Sequence, residues 1–257
     1  MRRKDVNAAR NGDYIIDYQG QADRYHFGPD NAQKPLFSYV NADIFNTATY
    51  QAYKALWQLF DPDVTKPDPL TPTKEKYIDA FLDATMTTDV FRDVWSYLQQ
   101  KNYASNNFTA VKQTLHKLWF GLYARNSNNV NGSSGFEHVF LGEHRVERGE
   151  SIVDGQHHWM RYWALEQSSS INYYGSIEYY NWLLSTFQYM WDGKWEKKIG
   201  GFLDGTTVEF DFSLCSLCAL ANLHSENCWY NIDDNPIISV NYVSNGMLQT
   251  CYPKIKK

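Results

Sequence analysis

The sequence predicts an α+β chain in which a helical N-terminal half packs with a C-terminal half dominated by antiparallel sheet. Apolar residues recur at intervals of three and four up to about residue 123, which is the spacing of amphipathic helices. Turn-forming residues then fill the run at 126–135, and alternating patterns follow it. We therefore expect one domain over 1–257, with a mainly helical lobe at 1–125 and a mainly β lobe at 126–257.

Helical segments account for most of the first half. A helix with one buried stripe is predicted between Asp43 and Asp61. Thr71 and Pro72 form an N-cap and first-turn pair that begins the next helix after a proline-rich connection. Two more helices are indicated by apolar residues at helical spacing, namely Val90, Phe91, Val94, Trp95 and Leu98, and then Val111, Leu115, Leu118, Trp119, Leu122 and Tyr123.

Strands are predicted in the second half from residues that alternate between two faces. Phe136, His138 and Phe140 would share one face of the first strand. Similar patterns predict further strands at HHWMRYWALE, STFQYMWDG, TVEFDF and IISVNYV, which are residues 157–166, 185–193, 207–212 and 237–243.

Composition limits the class of protein. With 43% apolar and 16% aromatic residues among 257, the chain is too hydrophobic for disorder and long enough to bury a core. No apolar run reaches eighteen residues, so we expect no membrane-spanning helix and no membrane partner. The opening MRRKDVNAARNGDY has no apolar region after its basic residues, so it is no intact secretory signal, and a secreted or a cytoplasmic location both stay open.

The net charge of −5 argues against binding nucleic acid through bulk positive charge. A polyanion would have to bind in a local basic groove, for which the sequence offers three groups of residues. These are Arg145, Arg148 and Arg161, then Lys194, Lys197 and Lys198, then Lys254, Lys256 and Lys257.

All four cysteines lie in the last part of the chain, and several interpretations of them stay open. Cys215, Cys218, His224 and Cys228 have a spacing that could hold zinc. The surrounding string LCSLCAL is so apolar that small buried side chains are the simpler explanation. If the protein is secreted, disulfides are possible, and the four cysteines, with Cys251 included, can then pair in three ways.

Four of the seven histidines fall between His138 and His158, and the lysine pair Lys197 and Lys198 follows. Two imidazoles around one reacting atom can supply a base and an acid near neutral pH. A neighbouring ammonium would stabilise the negative charge that builds on phosphate oxygens during phosphoryl transfer. The grouping therefore indicates a phosphoryl-transfer site.

These residues stand in strings that resemble the EndoU family of endoribonucleases, which includes placental and amphibian poly(U)-preferring enzymes and a coronavirus counterpart. The family's opening pattern matches Asp5–Asn7, Gly12–Tyr14 and Gln19–Gly20, and PLFSYV at 35–40 follows it. GSSGFEHVFLGE at 132–143 is the most specific segment, and the resemblance covers nearly the whole chain. It implies an EndoU-like fold with a catalytic C-terminal lobe, single-stranded RNA as substrate, and action at uridylates by a monomer.

The resemblance assigns the reacting groups one by one. The family's first catalytic histidine, in its EHVF string, is His138 here. The second matches His157 in GQHHW, where His158 stands in place of the usual asparagine, and the catalytic lysine matches Lys197. The closing segment that holds sugar and base corresponds to Thr250 through Pro253. In it Tyr252 would orient the ribose or stack on the base, and Thr250 would contact the base edge.

The chain departs from the family in two places. Gly201 stands where a serine helps to read uracil in the family, so base preference is open. The acidic pattern at 207–211 is kept, but the loop before it is altered at Asp204, which we expect to reshape the pocket wall. Glu137 and Glu143 match acidic positions that are important in the family, where they would orient the histidines or bind Mn²⁺.

RNA carries its own nucleophile, so cleavage requires only a base, an acid and a positive charge. We expect His157 to act as base, His138 as acid and Lys197 as electrostatic stabiliser, leaving a 2′,3′-cyclic phosphate and a 5′-hydroxyl. The main alternative is an RNA-binding protein with the same fold whose catalytic activity has decayed, which the change at Gly201 motivates. A zinc-dependent hydrolase using the cysteines is a third interpretation.

Overall fold

A computed structural model describes residues 1–221 and 225–255 of the chain. Four of its six helices lie in the first half, in agreement with the helical lobe that the sequence predicts. None of the helices in these residues is long and apolar enough to cross a membrane. The helices are α1 (Ala48–Leu56), α2 (Pro72–Met86), α3 (Asp89–Gln100), α4 (Phe108–Phe120), α5 (Trp159–Gln167) and α6 (Val208–Ala221).

The strands of the described residues form two larger sheets and two short pairs. The larger sheets have the orders β5-β6-β9-β8-β7 and β10-β11-β12, and only the contact of β6 with β9 is parallel. The strands are β1 (Tyr14–Ile16), β2 (Phe37–Val40), β3 (Tyr123–Ala124), β4 (Asn131–Ser133), β5 (Glu143–Glu147), β6 (Glu150–Asp154), β7 (Ile171–Tyr180), β8 (Leu184–Trp191), β9 (Trp195–Leu203), β10 (Asn227–Ile232), β11 (Asn235–Ser244) and β12 (Met247–Ile255). The mostly antiparallel C-terminal half is therefore confirmed.

One aromatic core joins the two halves. The ring of Phe136 lies 5.2 Å from that of Phe81 on α2, and the ring of Trp119 on α4 stacks on Phe212 of α6 at 4.6 Å. The Tyr53 hydroxyl on α1 donates a 2.7 Å hydrogen bond to the Phe140 carbonyl. Burial of large aromatic side chains dominates the stability of such a core. The helical lobe thus packs directly behind residues 136–140.

The helix boundaries show which of the predicted helix ends are correct. Thr71 caps α2 by accepting a hydrogen bond from the Lys74 backbone, with Pro72 in the first turn as expected. The helix expected from Asp43 to Asp61 is divided instead, because Thr47 caps α1 and separates it from a short 3₁₀ turn at Ala42–Phe45.

Three of the predicted strands are helical, and for two of them the physical reason is burial on every side. Phe136, His138 and Phe140 lie in a helical segment that continues as the π-helical turn Glu137–Leu141, not in a strand. The strings at 157–166 and 207–212 form parts of α5 and α6. Every residue from 136 to 141 and from 208 to 216 is buried, so no polar face shows the helical period. The strands predicted at 185–193 and 237–243 are confirmed as β8 and β11.

The cysteines form disulfides, so the zinc interpretation is wrong. Cys215 of α6 bonds Cys251 of β12, and Cys218 of α6 bonds Cys228 of β10. Oxidised sulfur is no thiolate and cannot act as a zinc ligand. His224, the fourth ligand of that interpretation, lies outside the described residues. Both disulfides attach the three-stranded sheet to α6.

Candidate active site

A cleft of about 800 Å³ separates the five-stranded sheet from the three-stranded sheet. Strands β8 and β9 supply one wall, and β10 to β12 supply the other. Five of the residues that the sequence singled out line it together, namely His138, His157, Lys197, Thr250 and Tyr252, and Gly201 joins them from β9. The two glutamates do not line the cleft.

His138 enters the cleft from the π-helical turn and is held at both ring nitrogens. Its Nδ1–H donates to the Oε2 atom of Glu143 at 3.1 Å, and Glu143 is itself completely buried. The Oγ1 atom of Thr250 lies 3.0 Å from Nε2, so in the neutral ring the threonine hydroxyl donates to that nitrogen. Glu143 is therefore placed to orient His138, which is one of the two roles that the resemblance implied for Glu137 and Glu143.

His157 follows β6 and points its ring at the same space. The carbonyl oxygen of Gly201 lies 3.1 Å from Nδ1, and since a carbonyl only accepts, Nδ1 carries the proton and Nε2 keeps a lone pair. The ring stacks on Tyr252 at 5.1 Å, and its centroid lies 5.9 Å from that of His138. The two imidazoles thus converge on one point.

A glycine makes this convergence possible. Gly155 has a φ of +64°, and a Cβ there would lie 1.8 Å from the carbonyl oxygen of His138. Only a residue without a side chain allows the chain that leads to His157 to pass this close to the turn carrying His138.

Lys197 is the member of the lysine pair that reaches the cleft. Its Nζ donates to the carbonyl oxygens of Gly155 at 2.6 Å and Val153 at 3.4 Å, and the side chain is buried. Lys198 points the other way, where it pairs with Glu150 at 2.6 Å on the surface. The assignment of the lysine by resemblance therefore agrees with the alternation of β9.

Burial disfavours positive charge on these groups. It lowers the pKa of His157 to about 3, with the Lys197 ammonium adding to the effect, and it lowers the pKa of Lys197 to about 8. Burial, and after it the charge of Arg125, also holds the pKa of His138 well below its ordinary range. At neutral pH the site therefore holds two neutral imidazoles and a mostly charged lysine.

The two glutamates have different surroundings. The carboxylate of Glu143 faces Arg125, whose Nε lies 3.4 Å away, while Glu137 lines a separate hollow behind the π-helical turn, beside Arg161. Burial, together with the negative charges of Glu143 and Asp68, raises the pKa of Glu137 well above its ordinary value. Within 1–221 and 225–255, no group of three or more His, Cys, Asp or Glu side chains could hold a metal ion.

Apart from Gly201, the residues at or near the positions where the chain departs from the family pattern lie behind the cleft. Asp204 is buried and accepts a 2.8 Å hydrogen bond from the Ser185 hydroxyl, and Glu209 accepts one from Thr49 at 2.7 Å. His158 is buried too, with its ring 5.4 Å from that of Phe140. None of these side chains lines the cleft, so they do not reshape its wall by direct contact.

Several cleft residues carried no sequence signal. Arg24 and Glu178 form an ion pair at its edge, and Thr186 lies opposite Gly201 in the register of β8 with β9. Trp229 and Lys254 line the opposite wall. Of these five residues, Lys254 is the one that belonged to a predicted basic group. Lys256 and Lys257 of that group lie outside the described residues.

Two imidazoles and an ammonium that face one open cleft are the set that acid–base cleavage of a phosphodiester requires. The fold and the site thus define an RNA-cleaving class of enzyme. The family model described as Endoribonuclease XendoU matches residues 1–253. The chain belongs to this family of endoribonucleases.

Individual relatives agree with the family model. Uridylate-specific endoribonuclease B of Danio rerio is 34% identical over 97% of this chain and 91% of its own length. A uridylate-specific endoribonuclease of Bos taurus is 32% identical over 95% of this chain, which spans only 58% of that longer protein. The solved structure of XendoU, described as a snoRNA-processing endoribonuclease, superposes with a TM-score of 0.80 at 25% identity, over 99% of this chain and 94% of that one.

Proposed function

We propose that this chain cleaves single-stranded RNA at uridylates by attack of the ribose 2′-hydroxyl, leaving a 2′,3′-cyclic phosphate and a 5′-hydroxyl. The observation that carries the proposal is the 5.9 Å approach of the His138 and His157 rings beside Lys197 in one open cleft. Because RNA supplies the nucleophile, no covalent enzyme intermediate is required.

His157 acts as the base. Its Nδ1–H is held by the Gly201 carbonyl, so the free Nε2 lone pair is the one available to take the 2′-hydroxyl proton. The low pKa keeps this nitrogen unprotonated at neutral pH before RNA binds. Stacking on Tyr252 fixes the plane of the ring and brings an aromatic face to the ribose or base.

His138 acts as the acid and protonates the departing 5′-oxygen from Nε2. The negative phosphate raises the pKa of a buried imidazole beside it, so the proton is taken up as RNA binds. Glu143 holds Nδ1 and stabilises the imidazolium, while the Lys197 ammonium balances charge on the phosphorane oxygens.

Preference for uridylates is supported by the printed names of the relatives in Danio rerio and Bos taurus. Gly201 has no hydroxyl to read the base, and Thr250 is engaged with His138. Manganese dependence stays a prediction of the family resemblance, and no step of the mechanism runs through a metal. Parallel reactions with added Mn²⁺ and with a chelator test it.

The decisive experiment incubates labelled single-stranded RNA with the wild type and with His157→Ala. Loss of one general base or acid should lower kcat by about 10²- to 10⁴-fold. His26→Ala is the matched control, because His26 is exposed and lies outside the cleft. DNA of the same sequence should stay intact. A protein that binds the RNA but leaves it intact in every variant would instead support the decayed RNA-binding alternative.

A further inference from the structure

We propose that Trp229 and Lys254 form a second nucleotide subsite, which binds the base and phosphate of a nucleotide outside the scissile linkage. The inference rests on the proposed function and specifies its substrate, an RNA that extends beyond the two nucleotides being separated. It is based on the position of both residues, which lie on the same face of the three-stranded sheet as Tyr252.

The register of the three strands sets this placement. In one row of the sheet, Tyr252 of β12 pairs with Val240 of β11, which pairs with Asn227 of β10. Two residues along each strand, Lys254 pairs with Ile238, which pairs with Trp229. Directly paired residues project from the same face of a sheet, as do residues two apart on one strand. Ile238 is buried between Trp229 and Lys254, and all three line the cleft.

The opposite face of the same sheet is fixed by the two disulfides. Cys251 is adjacent to Tyr252 in β12, and Cys228 is adjacent to Trp229 in β10, so both cysteines point away from the cleft and bond α6. Both aromatic positions therefore stand directly beside covalent attachments to one helix. A wall held in this way presents its rings at a constant separation.

That separation assigns the rings to different bases. Standard strand and residue spacings place the Cα atoms of Trp229 and Tyr252 about 12 Å apart. Aromatic rings stack at centroid distances of roughly 4.5 to 7 Å, so the two side chains address two bases. Trp229 keeps 59% of its surface exposed although it lines the cleft.

Lys254 supplies the charge that such a subsite requires. It is exposed, lies two residues from Tyr252 on the same face, and shares its row of the sheet with Trp229. A cation beside a stacking ring is the usual combination in grooves that bind single strands. The net charge of −5 makes a local cation the available route to phosphate binding.

The test compares uridylyl-adenosine dinucleotide with hexanucleotides that carry one ribouridine in a deoxy background, extended toward either the 5′ or the 3′ end. For the wild type, kcat/KM should be higher for one extended series than for the dinucleotide. Trp229→Ala should lower kcat/KM for that series about fivefold or more and leave the dinucleotide unchanged. Trp229→Phe should recover most of the loss, because it retains a stacking face.

Trp182→Ala is the matched control, since Trp182 is an exposed tryptophan outside the cleft. Lys254→Gln should reduce the slope of log affinity against log salt by about 0.7 for the extended RNA. Equal kcat/KM at every length, or an equal loss on the dinucleotide in Trp229→Ala, would overturn the subsite while leaving the proposed function intact. A wild type that cleaves none of the substrates would instead refute the proposed function.

Discussion

Gly201→Ser tests whether this cleft can accept the serine that the family uses at the same position. A Cβ at Gly201 would lie 2.9 Å from the carbonyl oxygen of Ser185 and 3.0 Å from Cγ2 of Thr186. The first contact is with backbone, so β9 must move by a few tenths of an ångström. Gly201 also holds Nδ1 of His157 through its carbonyl, so the movement displaces the proposed base.

The expected cost follows from these contacts. Overpacking of this size lowers the free energy of unfolding by about 1 to 3 kcal/mol, or about 2 to 12 °C in Tm. Displacement of His157 should lower kcat about tenfold, since a shift of 1 Å can cost about a hundredfold. We therefore expect Gly201→Ser to lose activity on every base and to gain no preference for uridine.

The assay measures kcat for oligonucleotides that carry a single ribouridine or ribocytidine, together with thermal unfolding. Gly28→Ser is the matched control, because a Cβ there meets nothing within 4 Å. Adding Thr186→Ala removes one of the two close contacts of Gly201→Ser and should recover part of the loss. A Gly201→Ser variant with unchanged Tm and kcat and a sharper preference for uridine would refute the reasoning.

Three further predictions concern charge and covalent structure. Glu143→Gln should lower kcat by about 10²-fold or more, because an amide that donates to His138 favours the wrong tautomer, and steady-state cleavage of RNA measures the loss. Burial places the pKa of Lys197 near 8, so affinity for a non-cleavable 2′-deoxy oligonucleotide should fall as pH rises through 8 and the ammonium loses its proton, as fluorescence anisotropy would record. Replacing both Cys215 and Cys251 by Ala opens a loop of 36 residues and should lower the free energy of unfolding by about 4 kcal/mol, measured by denaturant titration.

A specific result would contradict each of these three predictions. Full activity in Glu143→Gln would mean that the carboxylate does not set the tautomer of His138. For Lys197, affinity that stays constant from pH 7 to 9.5, or that changes equally in Lys197→Gln, would assign the effect to another group. Unchanged denaturant stability after loss of the Cys215–Cys251 bond would show that the unfolded chain gains no freedom.

The reacting groups could be predicted from the sequence because they stand in specific strings. His138, His157 and Lys197 were placed by resemblance, and the structure brings all three into one cleft. The edge of the cleft that holds Arg24 and Glu178 could not be predicted, because it depends on pairing between segments that are far apart in the sequence. Arg24, for example, lies beside Ala22, whose backbone N–H donates to the carbonyl of Ser176 on β7, and it pairs with Glu178 of the same strand.

The secondary structure could be predicted where one face of an element meets solvent. The helices α2 and α3 alternate buried and exposed residues at helical spacing; the Thr71–Pro72 pair identified α2, and periodicity identified α3. Helix α6 is buried on all sides over 208–216, and its short TVEFDF string equally matches the period of a strand. The disulfide pairing depended on α6 as well, because the helix places Cys215 and Cys218 on neighbouring turns.

The last strand completes a site whose other members come earlier in the chain. Both histidines and Lys197 precede residue 198, yet Thr250 and Tyr252 reach His138 and His157 only from β12. During synthesis from the N-terminus, the acid and the base are therefore followed first by Glu143 and Gly201, which hold one nitrogen of each ring, and gain Thr250 and Tyr252 only once β12 has folded.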